Sequence, residues 1–397
     1  MKESKLDKKD FTLFYIVLFY LFLSFLLTVY GSIKVALIKE NYAIGDWLIN
    51  YLGGFIRRGL LGHLIYIFYK FLGLNPVWQV VFWHLFFYFL FFFYSIKIFD
   101  LKKQELWSYL LAIFSPFIFT FQIHYFRGGY RKEIILFSIF SFLVYTSLKQ
   151  KKNFWISLIL YLFPILILIH EIFFIFLPYF LILYNLNHEK NEFDRKLIFP
   201  ILLSTISFLV SAFYPVNQEK VTILKNYIEK FVLPEGSIFH LGKSVLYELK
   251  LTWKCILKCN YFGIYFVSFT MGIFSYIPIY GKFSKIFEKK INRLFFYVSL
   301  ILTFLLMIIA LDWGRFIYIH FVLLFLLSFT QRQDEKINLE IKKFVLKHKI
   351  LTFLFLCSYQ ILWFIPHCCG LRPSDYNFMS IWIKKIILSL SKFFPTG

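Results

Sequence analysis

Apolar runs 15 or more residues long alternate with short polar segments along this chain. The spacing is that of helices crossing a bilayer, since an α-helix needs about 20 apolar residues to traverse the hydrocarbon. Eleven spans can be drawn, at 11–33, 77–98, 107–124, 134–148, 154–169, 172–186, 197–214, 260–281, 294–311, 316–330 and 350–366. Several reach only 15 or 16 residues and imply tilted or partly embedded helices. The fold class expected is all-α, a polytopic transmembrane bundle of about eleven spans forming a single domain over 1–397.

Two stretches between spans are long. Residues 34–76 contain "LLGHLIYIFYKFLGL", too short and amphipathic for a span and better suited to an interfacial or re-entrant helix. Residues 215–259 mix polar and apolar positions around the turn "LPEGS", as a small helical cap would. The tail "IWIKKIILSLSKFF" reads as a further interfacial helix. The basic start "MKESKLDKKD" precedes an apolar run longer than a cleavable signal core, so 11–33 is expected to be retained. No internal repeat is visible, which gives no support to an inverted-repeat transporter.

Composition agrees with the pattern. The chain is 59% hydrophobic and 23% aromatic, beyond the range of ordinary soluble proteins. Its net charge of +22 is spread between the oily runs instead of gathered on one face, so nucleic acid is not an expected partner, whereas membrane lipids are. Lysines in the short segments put the N-terminus inside, with 34–76 and 215–259 outside. Segments such as "KQKKN", "KFSKIFEKKINR" and "QRQDEKINLEIKKFVLKHK" then read as solvated inner loops.

That topology sorts the chemistry. Acids and arginines set hard against apolar runs all fall outside: Asp46 with Arg57 and Arg58, "HYFRGGYRKE" at 124–133, His170–Glu171, "DWGR" at 312–315, and "HCCGLRPSD" at 367–375. Ionisable groups at membrane depth are costly and usually mark function, so one shared outer pocket is expected. Within "GDWLINYLGGFIRRGLLGH", the glycines permit close approach to a phosphate and the arginine forks match its oxygens. Arg127, Arg131 and Lys132 repeat that chemistry beside Glu133, which complements a helix N-terminus. Asp46, His170 and Glu171 are candidate acid or base groups, and Asp312 and Arg315 pair on one helical face or meet substrate.

The bland readings are a juxtamembrane ion pair, an interfacial loop and a wet hairpin tip. His63, His84 and His320 lie in apolar stretches and suit packing or interhelical hydrogen bonds. Four of the five cysteines (Cys255, Cys259, Cys368, Cys369) fall outside, where a disulfide is permitted, but their spacing is no zinc pattern. The sequence has no P-loop, no dinucleotide-binding glycine motif and no D-x-D, so neither metal nor nucleotide cofactor is expected.

An acid just past the first span, "NYLGGFIRRGLLG", an outer "RKE", an "IHE" hairpin tip and a late "DWGR" together resemble the Wzy-type O-antigen and capsule repeat-unit polymerases and their O-antigen ligase relatives. The resemblance implies transfer of a glycan from undecaprenyl pyrophosphate to a hydroxyl of the next lipid-linked unit, at the outer face of the bacterial cytoplasmic membrane. It also admits a chain-length regulator as partner. On it, Arg57, Arg58, Arg127 and Arg131 would hold the pyrophosphate, Asp46, Glu171 or His170 would activate the acceptor, and 215–259 would cover the sugars. In one respect the chain departs, for 215–259 has lysines but no arginine. Two other readings are a GT-C type glycosyltransferase using a polyprenyl-phosphate sugar, whose essential acid also lies in the first outer loop, and a precursor transporter or flippase.

Overall fold

The apolar runs become helices, and no strand occurs among the described residues. The computed structural model describes residues 7–366 apart from 190, 191, 235, 237, 239 and 240. Helix α1 (Lys8–Leu37) starts at an Asp7 capping box. After an irregular segment come α2 (Gly59–Leu72) and α3 (Pro76–Leu101), the latter opened by an Asn75 cap and Pro76. They are followed by α4 (Leu106–Ile113), α5 (Glu133–Lys149), α6 (Phe154–Ile169), α7 (Phe173–Asn187) and α8 (Ile198–Phe213). The chain continues with α9 (Gln218–Ile228), α10 (Val245–Lys258), α11 (Tyr261–Phe274), α12 (Lys290–Ile309), α13 (Trp313–Ser328), α14 (Glu335–Lys347) and α15 (Lys349–Ile361).

Burial sorts these helices into centre and rim. All of α7 except Phe174 and Leu186, and all of α13 except Trp313 and Leu324, is buried. Helix α5 joins them over most of its length and packs on α3, as α7 does on α12. The rim helices turn apolar side chains outward, among them Phe19 on α1, Phe213 on α8 and Phe304 on α12, the last 65% exposed. So much exposed apolar surface is untenable in water and natural in lipid. The protein is therefore a helical membrane protein. Four helical stretches, Lys8–Leu37, Pro76–Leu101, Arg195–Phe213 and Lys290–Ile309, are long and apolar enough to cross, or six if two bent pairs each count as one. Those pairs turn by 78° between α10 and α11 and by 100° between α14 and α15.

Two expected spans do not form as single helices; 260–281 stops at Phe274 and turns through Ile277–Ile279, with Pro278, into a short helix at Tyr280. The stretch 107–124 breaks after α4, where Ser115–Pro116 supplies a proline with no N–H, and resumes only as the short turn Phe121–His124. Helices α6 and α7 keep their expected hairpin, and both carry an internal proline, Pro164 and Pro178. Residues 215–259 contain helices α9 and α10, and the chain between them meets the segment that follows α1. The Leu233 N–H donates to the Lys39 carbonyl (3.0 Å), and Asn41 Nδ2 donates to the Leu233 carbonyl (2.6 Å).

Two lysines of the segments read as solvated inner loops depart from that expectation. Lys282, in "KFSKIFEKKINR", is completely buried, paired with Glu105, donating to the Gln331 carbonyl (3.0 Å) and lying 4.6 Å from the Tyr109 ring centre. The stretch "QRQDEKINLEIKKFVLKHK" contains helix α14, pinned where Lys342 and Trp107 both donate to the buried Asp10 (2.6 and 2.8 Å). Lys282 and Lys342 are thus tertiary clasps, while α14 has no buried residue and the Lys149–Lys152 turn is exposed as expected. "HCCGLRPSD", Cys368, Cys369 and the tail helix lie outside the described residues.

Candidate functional site

The segment between α1 and α2 positions its acid by an irregular turn. Lys39 takes a left-handed backbone (φ 51°), Glu40 caps a π-turn over Asn41–Gly45, and a single α-turn, Asp46–Leu48, follows without a break. Such π geometry recurs at functional sites. Here it folds the segment back into the bundle, and Asp46 is fully buried. Trp47, also fully buried, donates to the Tyr130 carbonyl (3.1 Å) and so locks this turn to the "HYFRGGYRKE" segment.

Four of the five charge clusters that the sequence singles out meet around Asp46. Arg58 and Arg131 each lie 3.5 Å from its carboxylate. Arg58 grips Glu171 with three hydrogen bonds of 2.6 to 3.0 Å. His170 stands between Glu171 (3.4 Å) and Glu133 (3.9 Å), and Glu133 pairs with Arg315, which also holds Asp312 (2.6 Å). Lys132, completely buried, donates to the Arg58 carbonyl (2.9 Å). Arg58 needs that support, because its own φ of 66° is left-handed, an uncommon and strained state outside glycine. Arg127 stays at the rim, paired with Glu40 (3.0 Å), and Tyr42 lies between it and Arg131. Half-buried Arg57 lies in the field of Glu171 and of Glu248 on α10.

This arrangement alters several sequence-based roles. The arginines are not an open cationic hole, since Arg58, Arg127 and Arg315 each hold an internal carboxylate. Both Glu171 carboxylate oxygens are engaged by Arg58. The hairpin tip is buried against the rest of the protein, with His170 only 1% exposed. The glycines serve chain-to-chain packing. A Cβ on Gly62 would sit 1.9 Å from the Ile49 carbonyl oxygen, and one on Gly53 would press on the Lys220 backbone of the cap at 3.1 Å.

The electrostatics single out Asp46. Neither carboxylate oxygen has a hydrogen-bond partner among the described residues. Burial alone would raise its pKa, but Lys132, Arg131 and Arg58 outweigh that and hold it well below the ordinary carboxylate range. Burial pushes the Lys132 ammonium down to about 8 against the pull of Asp46. His170 is lowered by burial and by Arg58 despite its two acidic neighbours, so it is neutral near pH 7. The site is thus an ionised carboxylate with unused acceptor capacity in a largely self-neutralised charge network.

Glu40 and Glu133 carry more of this network than the sequence pattern assigned them. Each has the signature that marked Asp46, an acid against an apolar run. His84 and His320 do serve interhelical bonds, to Ser32 (3.2 Å) and to Tyr179 and Thr303 (2.6 and 2.7 Å). Among the described residues no cluster of His, Cys, Asp or Glu could hold a metal ion. No family model, no curated protein and no solved structure matches the chain.

Proposed function

We propose that this protein transfers a glycan from a lipid-linked pyrophosphate donor to an acceptor hydroxyl, polymerising undecaprenyl-pyrophosphate-linked repeat units into O-antigen or capsular polysaccharide at the outer face of the bacterial cytoplasmic membrane. The observation that carries the reading is the Asp46 carboxylate, buried, ionised and without a hydrogen-bond partner among the described residues, inside a ring of cations. The acceptor oxygen would bond to the anomeric carbon as the bond from that carbon to the pyrophosphate oxygen breaks. Asp46 would accept the hydroxyl proton, and the departing pyrophosphate would take the bonding pair. Arg57 and Arg127, at the rim, would meet the donor phosphates, and Lys132 and Arg131 would stabilise the charge developing on the leaving group. Arg58 and Glu171 would hold the geometry, with the cap helices over the sugars.

A second reading has its own support. Asp46 lies between the first long helix and α2, the place where the GT-C type glycosyltransferases that use polyprenyl-phosphate sugars keep their essential acid. Electrophoresis of surface polysaccharide from a deletion strain, complemented with Asp46→Asn or Arg58→Ala, separates the two. A polymerase defect leaves one repeat unit per carrier, and a transferase defect leaves long chains lacking one sugar. Long chains of normal composition overturn both.

A further inference from the structure

Helix α10 (Val245–Lys258) bends away from α11 by 78° at Cys259–Asn260, where Asn260 takes a left-handed backbone (φ 49°). Helix α11 turns Phe262 and Phe266 outward, as a helix seated in hydrocarbon does. A helix nearly at right angles to such a neighbour runs along the membrane surface.

Three faces of α10 differ in what they meet. Thr252 and Ile256 are buried, and the helix packs on α12. Leu246, Trp253 and Leu257 share an exposed apolar stripe, Leu257 being 77% exposed. Lys250, Lys254 and Lys258, each four residues from the next, form an exposed basic stripe beside it. The helix has a single acid, Glu248, half-buried and turned away from both stripes, in the field of Arg57. Water satisfies the lysines but not the apolar stripe, and hydrocarbon does the reverse. A headgroup layer offers both surfaces at once, and tryptophan is the residue most at home there. The lysine stems run along the hydrocarbon while the ammonium groups reach phosphates. Because no acid interrupts the stripe, net-anionic headgroups complement it better than zwitterionic ones, which bring a cation with every phosphate.

We infer that α10 is a docking helix for anionic phospholipid, with Leu246, Trp253 and Leu257 set into the interface and Lys250, Lys254 and Lys258 on headgroup phosphates. The inference is independent of the proposed glycan transfer. Since Glu248 lies on the inward side of the same helix, the lipid seat also holds that carboxylate in place relative to Arg57.

The test is hydrogen–deuterium exchange of the full chain in nanodiscs of phosphatidylcholine alone or of phosphatidylcholine mixed with phosphatidylglycerol. Backbone exchange over 246–258 should be slower in the anionic discs by about fivefold or more at low salt, and the difference should shrink at high salt. Combined Lys250→Gln, Lys254→Gln and Lys258→Gln should remove the difference, and arginine at the same three positions should keep it. The salt series on the unsubstituted chain decides the matter if the glutamine variant does not fold. Equal exchange in the two discs, a difference insensitive to salt, its persistence in a folded glutamine variant or its loss in the arginine variant overturns the inference. So does slowing by soluble polyglutamate in neutral discs where phosphatidylglycerol has no effect, which would make the occupant an acidic polymer.

Discussion

Each charge at the site differs from its neighbours in what already satisfies it. Glu133 and Arg315 are both almost fully buried and satisfy one another. Removing one partner strands the other, a loss of about 3–5 kcal/mol. Arg315→Met should accordingly lower the thermal midpoint in detergent sharply, while Glu133→Leu combined with Arg315→Met should recover a substantial part of the loss. Lys132 calls for a pH experiment. With its pKa near 8, the ammonium beside Asp46 disappears as pH rises from 7 to 9, and transfer should fall over that interval. Lys132→Arg should extend the activity to higher pH. Stability should not fall through this group, because above pH 8 the unfolded chain holds the extra proton and the contribution to folding rises with pH. A midpoint that drops in step with activity would falsify this assignment.

At the scale of elements, the helices were largely legible because each apolar run ends in charge or in a capping residue, as Asn75–Pro76 opens α3 and Asn153 opens α6. The failure at 107–124 was a matter of weighing a long apolar run above one proline. The clasps were illegible for a different reason. Lys282 meets Glu105 across 177 positions and Lys342 meets Asp10 across 332, and no local pattern records such distances. The outer clusters were recognisable one by one from their cost at membrane depth, yet which carboxylate each arginine would hold depended on tertiary packing. The glycines of the first outer segment give a direct check on their reassigned role. Gly62→Ala should destabilise by about 1–3 kcal/mol or more, since the carbonyl oxygen of Ile49 belongs to backbone that cannot rotate aside. Chemical denaturation in micelles measures it, and a neutral outcome would return Gly62 to a ligand-facing role.

For the whole molecule, both ends of the bundle are closed by polar contacts between distant parts of the chain, and the lipid-facing belt lies between them. The sequence-based topology puts the Lys151 turn inside and helix α9 outside. A membrane-impermeant thiol reagent applied to intact cells should label Lys225→Cys and spare Lys151→Cys, each at an exposed lysine. Labelling of both from one side would require a different number of crossings between them. At the end that this topology puts inside, Asp10→Asn should loosen α14. Limited proteolysis of inverted vesicles should then cleave faster within 331–349 than in the unsubstituted protein, with the outer loops unaffected.

The α6–α7 hairpin is short for a bilayer. Helices of 16 and 15 residues rise about 24 and 22 Å, less than hydrocarbon about 30 Å thick. With the exposed Lys151–Lys152 turn in one headgroup layer, His170 and Glu171 stop short of the other, where protein groups such as Arg58 must neutralise them. On the proposed glycan transfer, bilayers of longer acyl chains should slow the reaction by carrying headgroup phosphates further from that tip.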